Sequence, residues 1–187
     1  MRKLVLQMGV SLDGLVARPG RHGSVGWGLP PEDPALKECK LEWLRNAGLH
    51  LMGRNTYEEM AEFWPASDDA YAAPMNEIPK VVFSGTLERA EWADSRIARG
   101  DLAEEIAELK REPGKDMIAW GGAAFAQSLT RLGLVDEYRL VLQPVALGHG
   151  LPLFKDLTAP LRLGLVDAQT YNTGAALHVY RPAAAAS

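Results

Sequence analysis

One stretch constrains the fold of this chain more than any other: the residues from Lys115 to Leu142. It reads as a strand at Met117–Trp120, the pair Gly121-Gly122, a helix over Ala123–Leu132 and a second strand at Glu137–Leu142. Phe125, Leu129 and Leu132 recur at helical spacing and give that helix one apolar face. Gly133 stands where a left-handed residue ends a helix, a conformation that glycine adopts without a Cβ penalty. Two glycines between a buried strand and a helix start let a ligand approach bare backbone, and the amides and dipole of the helix start favour a phosphate there. The same residues also suit a tight strand-to-helix turn that holds no ligand. The rest of the chain bears on the choice.

Read in order, Leu4–Val10 is a buried strand ending in the turn Ser11-Leu-Asp-Gly14. A loop rich in glycine and proline follows as far as Pro31, of the kind that serves as a lid or binding loop. Asp33-Pro34 opens a helix as cap and first residue, with Leu36, Leu41 and Leu44 on its apolar face and its end near Gly48. Leu49–Met52 is a short strand, Gly53-Arg-Asn-Thr56 a joint, and Tyr57–Trp64 a helix stopped by Pro65. Ala66–Pro79 reads as loop, Lys80–Ser84 as a buried strand and Trp92–Ile97 as a short one. Asp101–Lys110 is a helix with acids at its start and Leu102, Ile106 and Leu109 on one face. After the central stretch, Leu161–Gln169 and Ala175–Tyr180 are strands joined at Asn172-Thr-Gly174, and the alanine-rich 182–187 is a disordered tail. The pattern predicts an α/β protein with a mixed sheet and helices on its faces. Its 187 residues make a single domain, 1–181.

Several functions are excluded. A net charge of −4 leaves no basic excess to neutralise nucleic-acid phosphates, and no apolar run is long enough to span a bilayer. Met1-Arg-Lys leads into a strand broken by Gln7 and then a turn, which reads as a fold start and not as a cleaved leader. The lone Cys39 rules out an internal disulfide and suits a reducing cytoplasm. His22, His50, His149 and His178 show no metal-ligand spacing, so no metal is expected. No G-x-S-x-G and no G-x-G-x-x-G after the first strand occur, which disfavours a serine hydrolase and a Rossmann fold.

Three further positions carry chemistry. Gly53-Arg54-Asn55-Thr56 repeats strand, glycine and helix start with a cation and a hydroxyl, which suits a phosphate or a plain helix cap. Ser84 ends a buried strand at the edge where open sheets bind ligands, or is satisfied there by backbone. Asp13 is the acid best placed for proton chemistry, or else an Asp-Gly turn residue.

Taken together, Met1–Phe154 resembles the dihydrofolate-reductase-like fold, and within it the reductase domain of the bifunctional riboflavin-biosynthesis deaminase/reductase. Four pieces in order carry the resemblance: Ser11-Leu-Asp-Gly14, Met52-Gly-Arg-Asn-Thr-Tyr57, Trp120-Gly-Gly-Ala123, and Gln143-Pro-Val-Ala-Leu-Gly-His-Gly150 before Leu153-Phe154. The resemblance implies a central sheet of about eight strands and an NADPH-dependent reductase without metal. It implies that Met8, Gly9 and Val10 line the nicotinamide pocket, and that Gly53, Arg54 and Thr56 hold the adenosine-side phosphates. Ser84 then falls near the 2′-phosphate. Gly121 and Gly122, a pair that often carries an unusual peptide bond, lie beside the pyrophosphate and nicotinamide with Ala123 and Ala124 after them. The sequence also departs from the pattern. The first helix has no acid matched to the proton-donating position: Asp33 is too early, and the facing of Glu38 and Glu42 is open. The alanine-aspartate-aspartate-proline run of the riboflavin enzymes is replaced by Gly53-Arg-Asn-Thr56.

The expected function is hydride transfer from NADPH to a C=N or C=O bond of a small molecule, pterin- and pyrimidine-like rings included. Asp13 is the candidate catalytic residue. The alternative is a non-catalytic module that binds NADP(H) or another nucleotide, favoured if Asp13 and the first-helix acids turn away from the pocket. The apolar hairpin Leu161–Tyr180 suits pairing of two subunits, so a homodimer is expected.

Overall fold

Every strand that reads as an unbroken apolar run lies in the parallel part of one sheet, where helices cover both faces. The structure, a computed structural model, describes residues 1–18 and 27–183. The stretches 19–26, within the Gly- and Pro-rich loop, and 184–187, in the expected tail, lie outside the described residues. The elements are β1 (Leu4–Ser11), β2 (Leu15–Ala17), α1 (Pro34–Arg45), β3 (Ala47–Gly53), α2 (Arg54–Phe63), a 3-10 turn (Trp64–Ala66), α3 (Ala72–Glu77), β4 (Lys80–Phe83) and β5 (Ser95–Ala98). They continue as α4 (Leu102–Arg111), β6 (Asp116–Trp120), α5 (Ala123–Arg131), β7 (Glu137–Gln143), β8 (Leu151–Pro152), β9 (Leu163–Thr170) and β10 (Ala176–Pro182).

Eight strands form the central sheet in the order β5-β4-β3-β6-β1-β7-β10-β9, and β2 pairs with β8 apart from it. The strands from β5 to β7 run parallel, and β10 runs antiparallel to both β7 and β9. From β1 the chain moves stepwise through β3 and β4 to β5, then returns to β6 and on to β7. Right-handed crossovers therefore put α1, α2 and α3 on one face and α4 and α5 on the other. Packing agrees. Leu4, Leu6 and Met8 of β1 cluster with Ile106 and Leu109 of α4 and Phe125 and Leu129 of α5. Leu44, Tyr57 and Met75 pack over Met52 and Ile118 on the opposite face, and Leu36 packs over Val141 and Leu177.

Local signals explain the helix ends. Asp33 caps α1 by accepting from the Ala35 amide at 2.9 Å, and Asp101 caps α4 through the amides of Ala103 and Glu104. After α5, Gly133 has φ 65°, its N–H donates to Thr130 and that of Leu134 to Leu129, both at 3.0 Å, so the expected left-handed cap is a Schellman turn.

Some boundaries differ from the sequence reading. α1 ends at Arg45, before Gly48, which belongs to β3. A Cβ on Gly48 would stand 3.1 Å from the backbone of Lys115, so close strand approach and not helix termination accounts for that glycine. The expected loop Ala66–Pro79 contains α3, whose Met75 is buried. Trp92 lies outside β5, its N–H bonded to the Tyr57 hydroxyl at 2.8 Å. Pro182 belongs to β10 and not to a tail, and the Ala183 amide donates to Arg162 at 2.9 Å. Among the described residues no helix is long and apolar enough to cross a membrane.

Candidate active site

The chain leaves β1 in one lateral direction and β6 in the other, so a crevice opens between their carboxyl ends, the switch point at which open α/β sheets take ligands. A cleft of about 520 Å³ lies there. Its floor is Gln7 and Gly9 of β1 with Val141 and Gln143 of β7; Leu36 and Lys40 of α1 form one wall, Thr56, Met60 and Trp64 the other. Trp120, Gly121, Gly122 and Ala123 close one end, and Leu29–Glu32 sit at the mouth.

The two glycine joints meet in this crevice. Neither α2 nor α5 has a side-chain cap, so both present first-turn amides and a positive dipole end at the carboxyl edge of the sheet. The Thr56 hydroxyl of α2 donates to the Gly121 carbonyl and fastens one joint to the other. Gly122 has φ 132°, and a Cβ on it would stand 2.8 Å from Thr56 Oγ1; a Cβ on Gly121 would collide with the Met8 methyl. The pair is thus a bare-backbone cradle held shut by Thr56. No cis peptide bond occurs among the described residues, so the unusual geometry of the pair is a positive φ and not an unusual peptide bond.

Of the expected cofactor residues, Met8, Gly9, Thr56, Gly121, Gly122 and Ala123 line the cleft. Val10 does not; it is buried in the core beneath α5. Gly53 faces Phe125, whose Cβ lies 3.2 Å from where a glycine side chain would begin, and Ala124 is exposed on α5. Arg54 lies along the same sheet edge, its Nη1 donating to Thr86 Oγ1 at 3.1 Å and its Nε 3.8 Å from Glu58. Ser84 Oγ accepts from the amides of Thr86 and Leu87 at 3.2 and 2.9 Å, which makes it the cap of that turn while its own proton stays available. Arg99 grips the other side of the turn through the carbonyls of Gly85 and Leu87, a second cation that the sequence reading did not single out.

Asp13 is placed differently from the expectation. Its carboxylate accepts from Ser11 Oγ at 2.6 Å, from the Leu147 amide at 3.1 Å and from the Gly148 amide at 2.8 Å. The Ser11 hydroxyl first, then those two amides, hold its pKa down to about 2, so near neutrality it is a carboxylate with no proton to give. Asp13 does not line the cleft; it clasps the segment after β7 to the turn after β1. Leu12 N–H to Val145 and Leu153 N–H to Gly14 complete the clasp. Two of the four motifs are therefore one physical unit.

The first-helix acids are also resolved. Glu38 pairs with Arg45 at 2.7 Å, and Glu42 lines a groove at the opposite end of the strands. Asp33 borders the cleft, but its two oxygens serve the Ala35 and Asn172 amides. The acid at the mouth is Glu32, bonded to Lys40 Nζ at 2.5 Å and to the Tyr71 hydroxyl at 2.7 Å. Behind Trp120, fully buried His50 takes the indole N–H on Nδ1 at 2.8 Å, with Nε2 3.3 Å from the Pro74 carbonyl. Burial, above all, pushes its pKa down to about 4, which keeps the ring neutral and Nδ1 an acceptor.

Gln7, Glu32, Lys40 and Trp120 were not identified as site residues from sequence. Gln7 carried a signal as a polar residue interrupting the apolar run of a strand, and Trp120 stood in the Trp120-Gly-Gly-Ala123 motif at the end of β6. Glu32 and Lys40 come together with Tyr71 only through the packing of α1 against the segment that leads into α3.

Fold and cleft define a single-domain member of the dihydrofolate-reductase-like class. The chain belongs to the RibD C-terminal domain family, whose profile matches residues 2–177. It is 30% identical over 184 residues to YyaP of Bacillus subtilis (strain 168), described as an uncharacterized protein, spanning 96% of this chain and 94% of YyaP. The putative riboflavin biosynthesis protein from Shewanella sp. PV-4 superposes with a TM-score of 0.77 at 23% identity, covering 97% of this chain and 99% of that one. The diaminohydroxyphosphoribosylaminopyrimidine deaminase/5-amino-6-(5-phosphoribosylamino)uracil reductase of Thermotoga maritima superposes with a TM-score of 0.69 at 16% identity. There 97% of this chain covers 57% of the larger protein.

Proposed function

We propose that the protein is an NADPH-dependent reductase acting on a small molecule, delivering a hydride to a C=N or C=O bond. The observation that carries this reading is the fastening of two uncapped helix starts, at Gly53–Thr56 and Gly121–Ala123, at one end of the same crevice. Such a pair suits a dinucleotide, whose phosphates need backbone amides and whose rings need bare glycine. Membership in the RibD C-terminal family, and the reductase likeness of the Thermotoga protein, support it.

NADPH fits the residues present. Gly121 and Gly122 would admit its pyrophosphate, Thr56 and the starts of α2 and α5 would hold it, and Arg54 with the turn at Ser84–Leu87 would face the 2′-phosphate. Bound there, the cofactor supplies the hydride. The chain's own part is to place and to shield. Met8, Gly9 and Trp120 shape the neighbouring ring site, and Leu29–Glu32 narrow the mouth against water. Asp13 is assigned to the clasp, so a proton for the product would come from solvent at the mouth, beside Glu32 and Tyr71.

A second reading is kept because Asp13, Glu38 and Glu42 all turn away from the cleft: a module that binds the nucleotide without turning it over. Titration of the purified protein with NADPH and NADH, followed by NADPH oxidation assays with dihydropterins, pyrimidines and simple carbonyls, separates the two. NADPH binding without oxidation leaves the module; absence of binding ends both readings. A cytoplasmic location rests on the lone Cys39, and a homodimer on the exposed strand β9, both as proposals.

A further inference from the structure

We propose that Tyr71 is the latch of this cleft: its hydroxyl holds the segment Leu29–Glu32 shut over the mouth, and a molecule reaches the floor only when the bond to Glu32 opens. The inference rests on the reading of the cleft as a ligand site.

Leu29–Glu32 borders the cleft, yet among the described residues no backbone hydrogen bond holds it. Pro30 and Pro31 have no N–H to give. The ends of the segment are fixed: Trp27 is buried, and so is Asp33, whose two oxygens accept from the amides of Ala35 and Asn172. Between these anchors its hydrogen bonds come from one carboxylate, Glu32, which accepts from Lys40 Nζ at 2.5 Å and from the Tyr71 hydroxyl at 2.7 Å. The clasp at Asp13 draws on backbone amides; this one is made of side chains alone. Segments tied so lightly open locally long before a domain unfolds, and moving parts of binding sites are drawn from them.

Tyr71 is built as a fixed post. Its amide donates to Asp69 Oδ1 at 2.9 Å, and Lys37 ties Asp69 to α1 at 2.8 Å. The ammonium groups of Lys37 and Lys40 stand 5.3 and 5.2 Å from the ring centroid. The ring also meets Trp64, on the opposite wall of the cleft, edge-on at 6.3 Å. The post therefore joins the α1 wall to the wall of α2 and the 3-10 turn, and the part left free to swing is Leu29–Glu32. Lys40 ends a flexible four-carbon stem and follows Glu32 outward, whereas the phenol cannot, so the phenol bond decides where the segment sits. Burial first, then the bond to Glu32, pushes the Tyr71 hydroxyl far above its ordinary pKa, which keeps it a donor throughout the neutral range.

The reporter is a thiol on the floor, Gln143→Cys in a Cys39→Ser chain, since Gln143 lines the cleft and Cys39 is the lone cysteine. Its alkylation by iodoacetamide, a small neutral reagent, is timed by mass spectrometry on the folded full chain. Tyr71→Phe keeps the ring and removes the bond, so it should speed alkylation about 5- to 10-fold, the equilibrium worth of a partly exposed hydrogen bond to a carboxylate. In a Glu32→Ala chain the same substitution should add less than about 2-fold, because its partner is already gone. A core thiol at Ala126→Cys, on the fully buried face of α5, should react no faster in the Tyr71→Phe chain. Equal rates at position 143 overturn the latch. So does equal acceleration at position 126, which assigns Tyr71 to general stability, and so does undiminished acceleration in the Glu32→Ala chain. NADPH is titrated into the same samples. Faster alkylation without NADPH binding supports the latch and sinks the reductase reading; NADPH binding with unchanged alkylation sinks the latch alone.

Discussion

Acid should weaken this protein through one buried ring, His50, and the effect can be worked out from its surroundings. The ring is fully buried, takes the Trp120 indole N–H on Nδ1, and is held by burial to a pKa of about 4 against an ordinary 6.5. Between those values the unfolded chain binds a proton at this site and the folded chain does not, so stability is lost as pH falls from 6.5 toward 4. At 1.36 kcal/mol per pKa unit, the loss is about 3.5 kcal/mol once both forms have titrated and about 2.5 kcal/mol between pH 7 and pH 4.5. His50→Gln retains an acceptor for Trp120 and a donor for Pro74 but does not titrate in this range. Urea unfolding at pH 7 and pH 4.5 should show wild type losing about 2.5 kcal/mol more than the variant, with m unchanged. Carboxylates elsewhere titrate alike in both proteins and cancel. Equal losses in the two proteins would refute the neutral buried histidine, and with it the account of how Trp120 is held at the wall of the cleft.

Arg54→Ala should weaken NADPH by roughly 10-fold and leave NADH nearly unchanged. This is the low end for a charged hydrogen bond because the side chain is 46% exposed and already bonded to Thr86. Added salt should erode the wild-type preference, and an equal loss for both cofactors would assign Arg54 to the fold or the shared pyrophosphate. Asp13→Asn should lower Tm and raise the protease sensitivity of the segment after β7, since an amide cannot accept from Leu147 and Gly148 with both ends. A change in the pH profile of turnover between pH 5 and 9 would instead return Asp13 to the chemistry. Strand β9 is an exposed edge with Leu165 57% and Val166 50% accessible, so sedimentation should give about twice 20.4 kDa, and Leu165→Lys should reduce it to the monomer; a wild-type monomer at micromolar concentration rejects the dimer.

Gly122→Val is a poor probe of the cofactor cradle, and the reason separates local from tertiary information. The residues Trp120-Gly-Gly-Ala123 by themselves imply strand, bare turn and helix, because the period of apolar side chains and the freedom of glycine act over a few residues. They do not reveal that Thr56, far earlier in the chain, occupies the space a valine would need, so that the substitution strains the hook along with any phosphate site.

The same division runs through the molecule. The Schellman turn at Gly133, the caps at Asp33 and Asp101, the apolar faces of α4 and α5 and the mixed α/β class are determined by the sequence alone, since each follows from contacts within a turn or two of chain. The role of Asp13 as a clasp was decided 134 residues away, by the Leu147 amide, a partner that the local Asp-Gly pattern does not reveal. The wall beside Gln7 depends on the β1–β6 register, the holding of Trp120 on His50 of β3, and the mouth on Tyr71 reaching Glu32. Such pairings become visible only when the sheet order places distant strands side by side, because hydrogen bonds and burial act through space while sequence patterns record only what is near along the chain.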